Sequence, residues 1–351
     1  MKTTTLPIAL LDPSPRRMEL IFRPDRFEEL QSLVQLKPGP GDPHYQKPTP
    51  VEIDAILPEA TYVIGQTDMP QSRLKSAPHL KAIINVEGNF LPNIDYDYCF
   101  ARNIHVLATS PVFAHPVAEI GLGLALSLAR QIPQADQAFR QGQELYGLTG
   151  SHSAVLLRDL PIGIVGFGDL GRALLELLKP FAPSHRPVAV YDPWLPDRII
   201  RDAGAVPVGL DKLLSTCRAI FVVAAVTDAN AGFLGAKELD RIPRDSLFVL
   251  LSRAGVVDFD ALTKKALDGS LRVATDVWPE EPFDKAHPIR TAETAVLSAH
   301  RAGAVPSSLL EMGDRIVEDI RLINAGLPPI SCKRGQAETV GRMRSRPVKK
   351  T

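Results

Sequence analysis

The chain has 351 residues, of which 40 are Lys or Arg and 40 are Asp or Glu. That balance argues against a broad nucleic-acid surface and against a basic membrane-surface helix. Hydrophobic residues make up 45% and charged residues 23%, an ordinary folded composition with room for two domains and a core that needs no staples. Three cysteines, Cys99, Cys217 and Cys332, give an odd count with no metal-ligand spacing. They read as buried thiols in a reducing, cytoplasmic compartment, and no metal site is expected. The apolar run before Asp12 is too short for a signal peptide, and the stretch from Val117 to Ala129 carries Glu119 and is too short to span a membrane.

In chain order, PIALL (7–11), TYVIG (61–65), KAIINV (81–86) and HVLAT (105–109) read as short buried strands. Between them RRMELIFRPDRFEELQSL, VEIDAIL and IDYDYCFARN have helical apolar spacing. The segment 116–141 poses a conflict. Leu122, Leu124, Leu126 and Leu128 alternate as in a strand, but Pro116 suits a first helical turn and the segment is too long for one strand. We read it as a helix whose small residues allow close packing on two sides. After Arg158 come six apolar runs, PIGIVG (161–166), PVAVYD (187–192), AIFVVAAV (219–226), SLFVLLS (246–252), LRVATDVW (271–278) and AVLSA (295–299). Their near-continuous apolar character fits strands covered on both faces, hence an α/β fold with a doubly wound parallel sheet. An amphipathic helix follows Pro306 and stops at Gly326. From Ser331 onward seven basic residues face one acidic residue, and the segment 331–351 reads as a flexible basic tail.

The strongest local signal is Gly166-Phe167-Gly168-Asp169-Leu170-Gly171, between a strand and a helical run. Gly166 suits a tight turn, Gly168 a close backbone approach to a pyrophosphate, and Gly171 close helix–strand packing. The following helix start offers N–H groups and a positive dipole end to phosphate. Asp192 ends the next strand 21 positions after Gly171, where a carboxylate would accept from adenosine ribose hydroxyls. A 2′-phosphate would meet its charge, so NAD is favoured over NADP.

Three further groups follow later strands: Arg253 after SLFVLLS, Glu281 after LRVATDVW, and His300 after AVLSA. Each alone has a bland reading as an ion-pair partner or a structural histidine. Together they supply what hydride transfer to a 2-oxo acid needs. A guanidinium grips a carboxylate. An imidazole exchanges the proton, and a carboxylate orients it. The nicotinamide carries the hydride chemistry.

On GFGDLG (166–171), SRAGVVDFDAL (252–262), GSLRVATDVWPEEP (269–282) and AHRAG (299–303), the chain resembles the D-isomer-specific 2-hydroxyacid dehydrogenases over roughly residues 60–325. The resemblance implies two Rossmann-like domains with the active site in the cleft between them. A discontinuous substrate domain would comprise 1–110 plus 306–330, and an NAD-binding domain 111–305. It implies Arg253 as substrate arginine, Glu281 as acidic partner, His300 as acid/base, and Asp276 facing the nicotinamide carboxamide. Further cofactor contacts would come from Asp169, Leu170, Val226, Thr227, Ser252 and Gly303. The helix beginning near Ala114 would build a homodimer.

Departures from the family pattern bear on the substrate. Where relatives carry a glycine-rich anion loop, this chain has Val86-Glu87-Gly88-Asn89-Phe90. Gly88 and Asn89 could still offer N–H groups to a carboxylate, and Glu87 could point away or accept from substrate hydroxyls. Gln66 and Thr67 are further candidates. Ala225 and Ala299 stand at usual proline positions, and Leu250-Leu251-Ser252 replaces Asn-Thr-Ala. His105, His115 and His287 read as structural. The expected function is NAD-dependent interconversion of a 2-hydroxy acid and a 2-oxo acid, with no nucleic-acid or membrane partner. The rivals are a formate- or phosphite-type dehydrogenase, the former disfavoured by Glu281, and a non-catalytic NADH-sensing protein.

Overall fold

The computed structural model describes residues 6–227 and 229–343. In chain order its strands are β1 (Ile8–Asp12), β2 (Gln35–Lys37), β3 (Ala60–Gly65), β4 (Ala82–Asn85), β5 (His105–Ala108), β6 (Ile162–Val165), β7 (Ala189–Tyr191), β8 (Val206–Pro207), β9 (Ala219–Val222), β10 (Ser246–Leu250), β11 (Leu271–Thr275), β12 (Val296–Leu297) and β13 (Lys333–Arg334). They form two sheets, ordered β13-β5-β4-β3-β1-β2 and β12-β11-β10-β9-β6-β7-β8. Both are parallel, apart from the pairing of β13 with β5. The chain divides into two compact units. Unit 1 holds the described residues up to Phe113 and those from Ala304; unit 2 is Ala114–Gly303.

In unit 2 the six apolar runs become strands, and β8, too short to leave a pattern, adds a seventh. Their continuous apolar character has a direct cause. Leu247 and Val249 of β10 join one core cluster, with the helices Ala114–Arg130 and Asp169–Leu178. Phe248 and Leu250, pointing the other way, join a second cluster with Leu213, Leu239 and Leu262. Alternate side chains of one strand therefore serve two buried faces.

The helix Ala114–Arg130 resolves the conflict over residues 116–141. Leu124 and Leu128 are buried, while Leu122 and Leu126 pack partly buried against the same cluster. Gly121 makes this possible: a Cβ there would lie 2.5 Å from Leu251 Cδ1. With the preceding turn from Ser110, the helix is as long and apolar as a membrane span, contrary to expectation. Its hydropathy is accounted for by the face it buries in the unit 2 core.

Unit 1 repeats the logic. Ala9, Leu11, Ile64 and Ile84 face a cluster with Met312, Ile316 and Ile320 of the helix Pro306–Asn324. Leu10, Val63, Ile83 and Val106 face another. Local stops and caps set the helices. Pro24 splits residues 17–34 into Met18–Ile21 and Pro24–Leu33. Thr49 and Glu52 form a reciprocal capping box at the start of Pro50–Ile56.

One expectation is corrected. The segment from Ser331 does not begin as a flexible tail. Asp319, fully buried, accepts N–H groups from Ile330, Ser331 and Cys332 at 2.8 Å each. A buried carboxylate requires such donors, and these bring the chain back onto the sheet. Lys333 and Arg334 then pair with Ala108 and Leu107, and Val340 is buried at the start of the helix Val340–Met343. Basic composition carried no trace of this backbone capture. Residues 344–351 of the expected tail lie outside the described residues.

Candidate active site

In unit 2 the order of strands runs outward in both directions from β6 and β9, so the carboxyl end of β6 is the switch point where doubly wound sheets bind ligands. The glycine loop sits there. Gly166 has φ +96°, and a Cβ on it would stand 2.6 Å from the backbone of Ala224. A Cβ on Gly171 would stand 2.4 Å from the carbonyl oxygen of Gly166. Gly168 is the opposite case: it is exposed, and a Cβ there would meet nothing within 4 Å. Two glycines lock the turn, while the third leaves open space at the N-cap of Asp169–Leu178. Asp169 and Leu170 form the first turn of that helix, half-buried. This arrangement fits a dinucleotide pyrophosphate.

Asp192, after β7, clamps the loop. Its Oδ2 accepts from Phe167 N at 2.7 Å and its Oδ1 from Trp194 N at 2.9 Å. A carboxylate has acceptor capacity beyond these two bonds, so ribose hydroxyls can still be taken. After β9, Thr227 is buried and fixed by Asn230, whose Oδ1 accepts from Thr227 N at 2.6 Å. Val226 lies half-buried beside Gly255. After β10, Ser252 is buried and its Oγ has no hydrogen-bond partner, an unmet group that a bound ligand would complete. Gly303 ends the unit.

The three charged groups follow β10, β11 and β12, on one edge of the sheet. Arg253 is extended, with Nη1 donating to the carbonyl of Ser252 at 2.7 Å. His300 Nδ1 lies 2.8 Å from both carboxylate oxygens of Glu281, and each side chain is about a third exposed. This contact fixes the imidazole's orientation and leaves Nε2 as the outward atom. Near Glu281, Phe283 stacks on Trp278 at 4.2 Å, and Trp278 Nε1 donates to Ser298 O. These contacts bind the stretch carrying Glu281 to the loop carrying His300.

His300 has φ +47°, an uncommon conformation for a residue with a side chain. Asp276 holds the residues that follow it. It is fully buried, and its Oδ1 and Oδ2 accept from Arg301 N at 3.1 Å and Ala302 N at 2.9 Å. The carboxylate expected to face the nicotinamide thus also clamps the histidine loop. His287, by contrast, accepts from Ile289 N in a local turn. Among the described residues no group of three His, Cys, Asp or Glu side chains could hold a metal ion.

In unit 1 the other candidates lie at the carboxyl edge of its sheet. The register Ile64↔Ile84 sets Gln66 beside the start of the loop Val86–Phe90. Glu87 Oε2 is paired with Arg16 Nη2 at 3.2 Å, and Arg16 Nε donates to Val86 O at 2.9 Å. Gly88 lies against Phe113, and Asn89 is half-buried beside the buried Phe90. Thr67 is buried and donates to Asp12 Oδ2 at 2.8 Å. Burial raises the Asp12 carboxyl above its ordinary value, against the lowering effect of that bond. Gln66 is fixed through its backbone, to Asp12 O and Asn93 Nδ2, while both atoms of its amide head are buried without a partner.

Sequence reasoning did not single out Arg16, Asn93 or Asn230. Arg16 and Glu87 are 70 positions apart, and no local pattern joins them. Asn230 could have been found, because an Asn three positions after a strand-end Thr is a common turn partner.

Comparison with known proteins places this geometry. The profile of the D-isomer specific 2-hydroxyacid dehydrogenase NAD binding domain matches residues 122–302. A solved phosphoglycerate oxidoreductase from Rhizobium etli is 45% identical, with a TM-score of 0.83 over 95% of this chain and 99% of that one. A glyoxylate reductase from Aeropyrum pernix is 27% identical over 90% of this chain and 91% of its own length. A D-3-phosphoglycerate dehydrogenase from Archaeoglobus fulgidus is 29% identical over 77% of this chain, which spans only half the length of that relative.

Proposed function

The chain belongs to the D-isomer specific 2-hydroxyacid dehydrogenase family, and from that premise we propose that it interconverts a 2-hydroxy acid and its 2-oxo acid with Arg253, Glu281 and His300 as the working side chains. The family makes it an NAD-dependent oxidoreductase acting on a small molecule. The observation that carries the assignment of roles is the contact of His300 Nδ1 with Glu281, on the sheet edge that also bears the glycine loop.

When bound, NADH supplies the hydride. Gly166, Gly168, Asp169, Leu170 and Gly171 would hold its pyrophosphate, and Asp192 its ribose. Val226, Thr227, Ser252, Asp276 and Gly303 would line the remainder. Arg253 grips the substrate carboxylate and polarises the neighbouring carbonyl. His300 Nε2 gives its proton to the carbonyl oxygen as C2 gains the hydride, and the C=O bond becomes CH–OH. Glu281 holds the imidazole in place and stabilises its protonated form before transfer. Gln66, Glu87, Gly88 and Asn89 contact the rest of the substrate. Oxidation runs the same steps in reverse.

A panel of 2-oxo acids with NADH, followed at 340 nm, tests the reading. Turnover of at least one member is expected, and NADH is expected to serve better than NADPH because Asp192 repels a 2′-phosphate. Tight NADH binding with no turnover on any member would favour a sensor instead. We propose in addition that the chain forms a homodimer through the region following Ala114. Exposed Phe139, Tyr146 and Leu148 support it, and sedimentation at micromolar concentration giving a monomer mass would refute it.

A further inference from the structure

The carboxyl edge of the unit 1 sheet holds polar groups in two different conditions. Glu87 is fixed at both ends. Its backbone N–H donates to Asn85 Oδ1 at 2.6 Å, and its Oε2 pairs with Arg16. Gln66, at the end of the neighbouring strand, is held by its backbone but has an acceptor and an NH2 group that the protein leaves unmet. Buried polar groups are costly without partners, so this amide is a site where a ligand group would be favoured. Gln66 also lines an open depression of about 750 Å³ whose walls include Asp68, Asn93 and Asp95.

The charges here decide what that ligand group can be. Arg16 is already committed to Val86 O and Glu87. Arg73 is committed to Asp54 and to the carbonyl of Asp68. Asp68 and Asp95 line the depression, and Glu87 retains an Oε1 able to accept. A phosphate or second carboxylate would meet carboxylates with its nearest guanidinium neutralised, and like-charge juxtaposition is how sites reject a ligand. A hydroxyl can donate to Glu87 Oε1 and also pair with the Gln66 amide.

We propose that Gln66 and the Arg16-held Glu87 form a subsite for an uncharged hydroxyl on the far side of the substrate. The chain then prefers a 2-oxo acid with a hydroxyl beyond C2 to its deoxy or phosphorylated counterpart. This rests on the reading above, that the chain reduces 2-oxo acids. It runs against the simplest transfer from the phosphoglycerate oxidoreductase of Rhizobium etli, whose name points to a phosphorylated substrate.

The test is kcat/KM with NADH for hydroxypyruvate, pyruvate and 3-phosphohydroxypyruvate. Hydroxypyruvate should exceed each of the others by about tenfold or more, the scale expected when a site built for a hydroxyl meets an analogue that cannot satisfy it. Gln66→Leu should reduce the hydroxypyruvate-to-pyruvate ratio by about tenfold. Glu87→Gln should raise kcat/KM for 3-phosphohydroxypyruvate, a gain that simple damage to the fold would not give. Turnover with pyruvate or the phosphorylated acid preferred by wild type overturns the subsite alone. So does an unchanged ratio in Gln66→Leu that still binds NADH. No turnover of any of the three overturns the dehydrogenase reading and the subsite with it.

Discussion

The two units expose the same kind of edge, the carboxyl ends of parallel strands, and organise it in different ways. In unit 2 the edge is set largely by backbone. Gly166 and Gly171 are locked by contacts that no side chain could share, Asp192 holds Phe167 N, and Asp276 holds Arg301 N and Ala302 N. In unit 1 the edge is set by side chains acting on one another and on nearby carbonyls, as in Arg16 with Glu87 and Thr67 with Asp12. A backbone-built edge suits a ligand whose shape does not vary, such as a dinucleotide. A side-chain edge can be rewritten by one substitution, which suits the part of a substrate that differs between relatives.

The largest test of this contrast is His300→Ala. It removes the proton donor while leaving the glycine loop intact, so kcat should fall by about 10²–10⁴-fold, with NADH binding retained. Stopped-flow reduction alongside NADH fluorescence titration separates the two effects. Normal turnover with the best substrate would end the acid/base assignment.

A smaller effect is expected from Asp276→Asn. An amide NH2 would then oppose the N–H of Arg301 or Ala302, donor against donor, and the left-handed His300 would lose part of its support. Misplacing a reacting group by about 1 Å can cost roughly 10²-fold, so kcat should drop by about 10–10²-fold, with KM for NADH changing less. A loss confined to KM for NADH would show instead that Asp276 acts on the nicotinamide and not on the loop.

The same contrast explains what was legible in the sequence. Backbone-built features advertise themselves, because glycines at fixed spacing and a carboxylate at a strand end are local patterns. The strands of both sheets were legible because alternate residues such as Leu247 and Phe248 must serve two apolar faces. Short strands such as β2 and β8 left no pattern. Pairs such as Arg16 and Glu87 could not be read, because 70 intervening positions carry no record of their meeting. The capture of residues 330–332 by Asp319 was hidden in the same way, since one acidic residue in an amphipathic helix resembles any surface carboxylate.

The smallest expected effect concerns how the units respond to alkali. Burial raises several protonated groups of unit 1: Tyr45, Tyr62 and Cys99 are each pushed up to about 12, and Cys332 is raised well above the usual thiol value. In unit 2 burial pushes Cys217 up to about 11. A folded pKa above the unfolded one means the folded state holds its proton more tightly. The resulting stability is present below the unfolded values of 9.0 for Cys and 10.0 for Tyr, and is lost as pH rises toward 11 and 12. Unit 1 carries more such groups, so it should open first, and chains of two units need not unfold in one step. Both tryptophans, Trp194 and Trp278, lie in unit 2, so their fluorescence reports on that unit. On titration from pH 8 upward, far-UV ellipticity should begin to fall about half a pH unit before tryptophan emission shifts. Coincident transitions would mean that the two units, built on different kinds of edge, nevertheless share one cooperative stability.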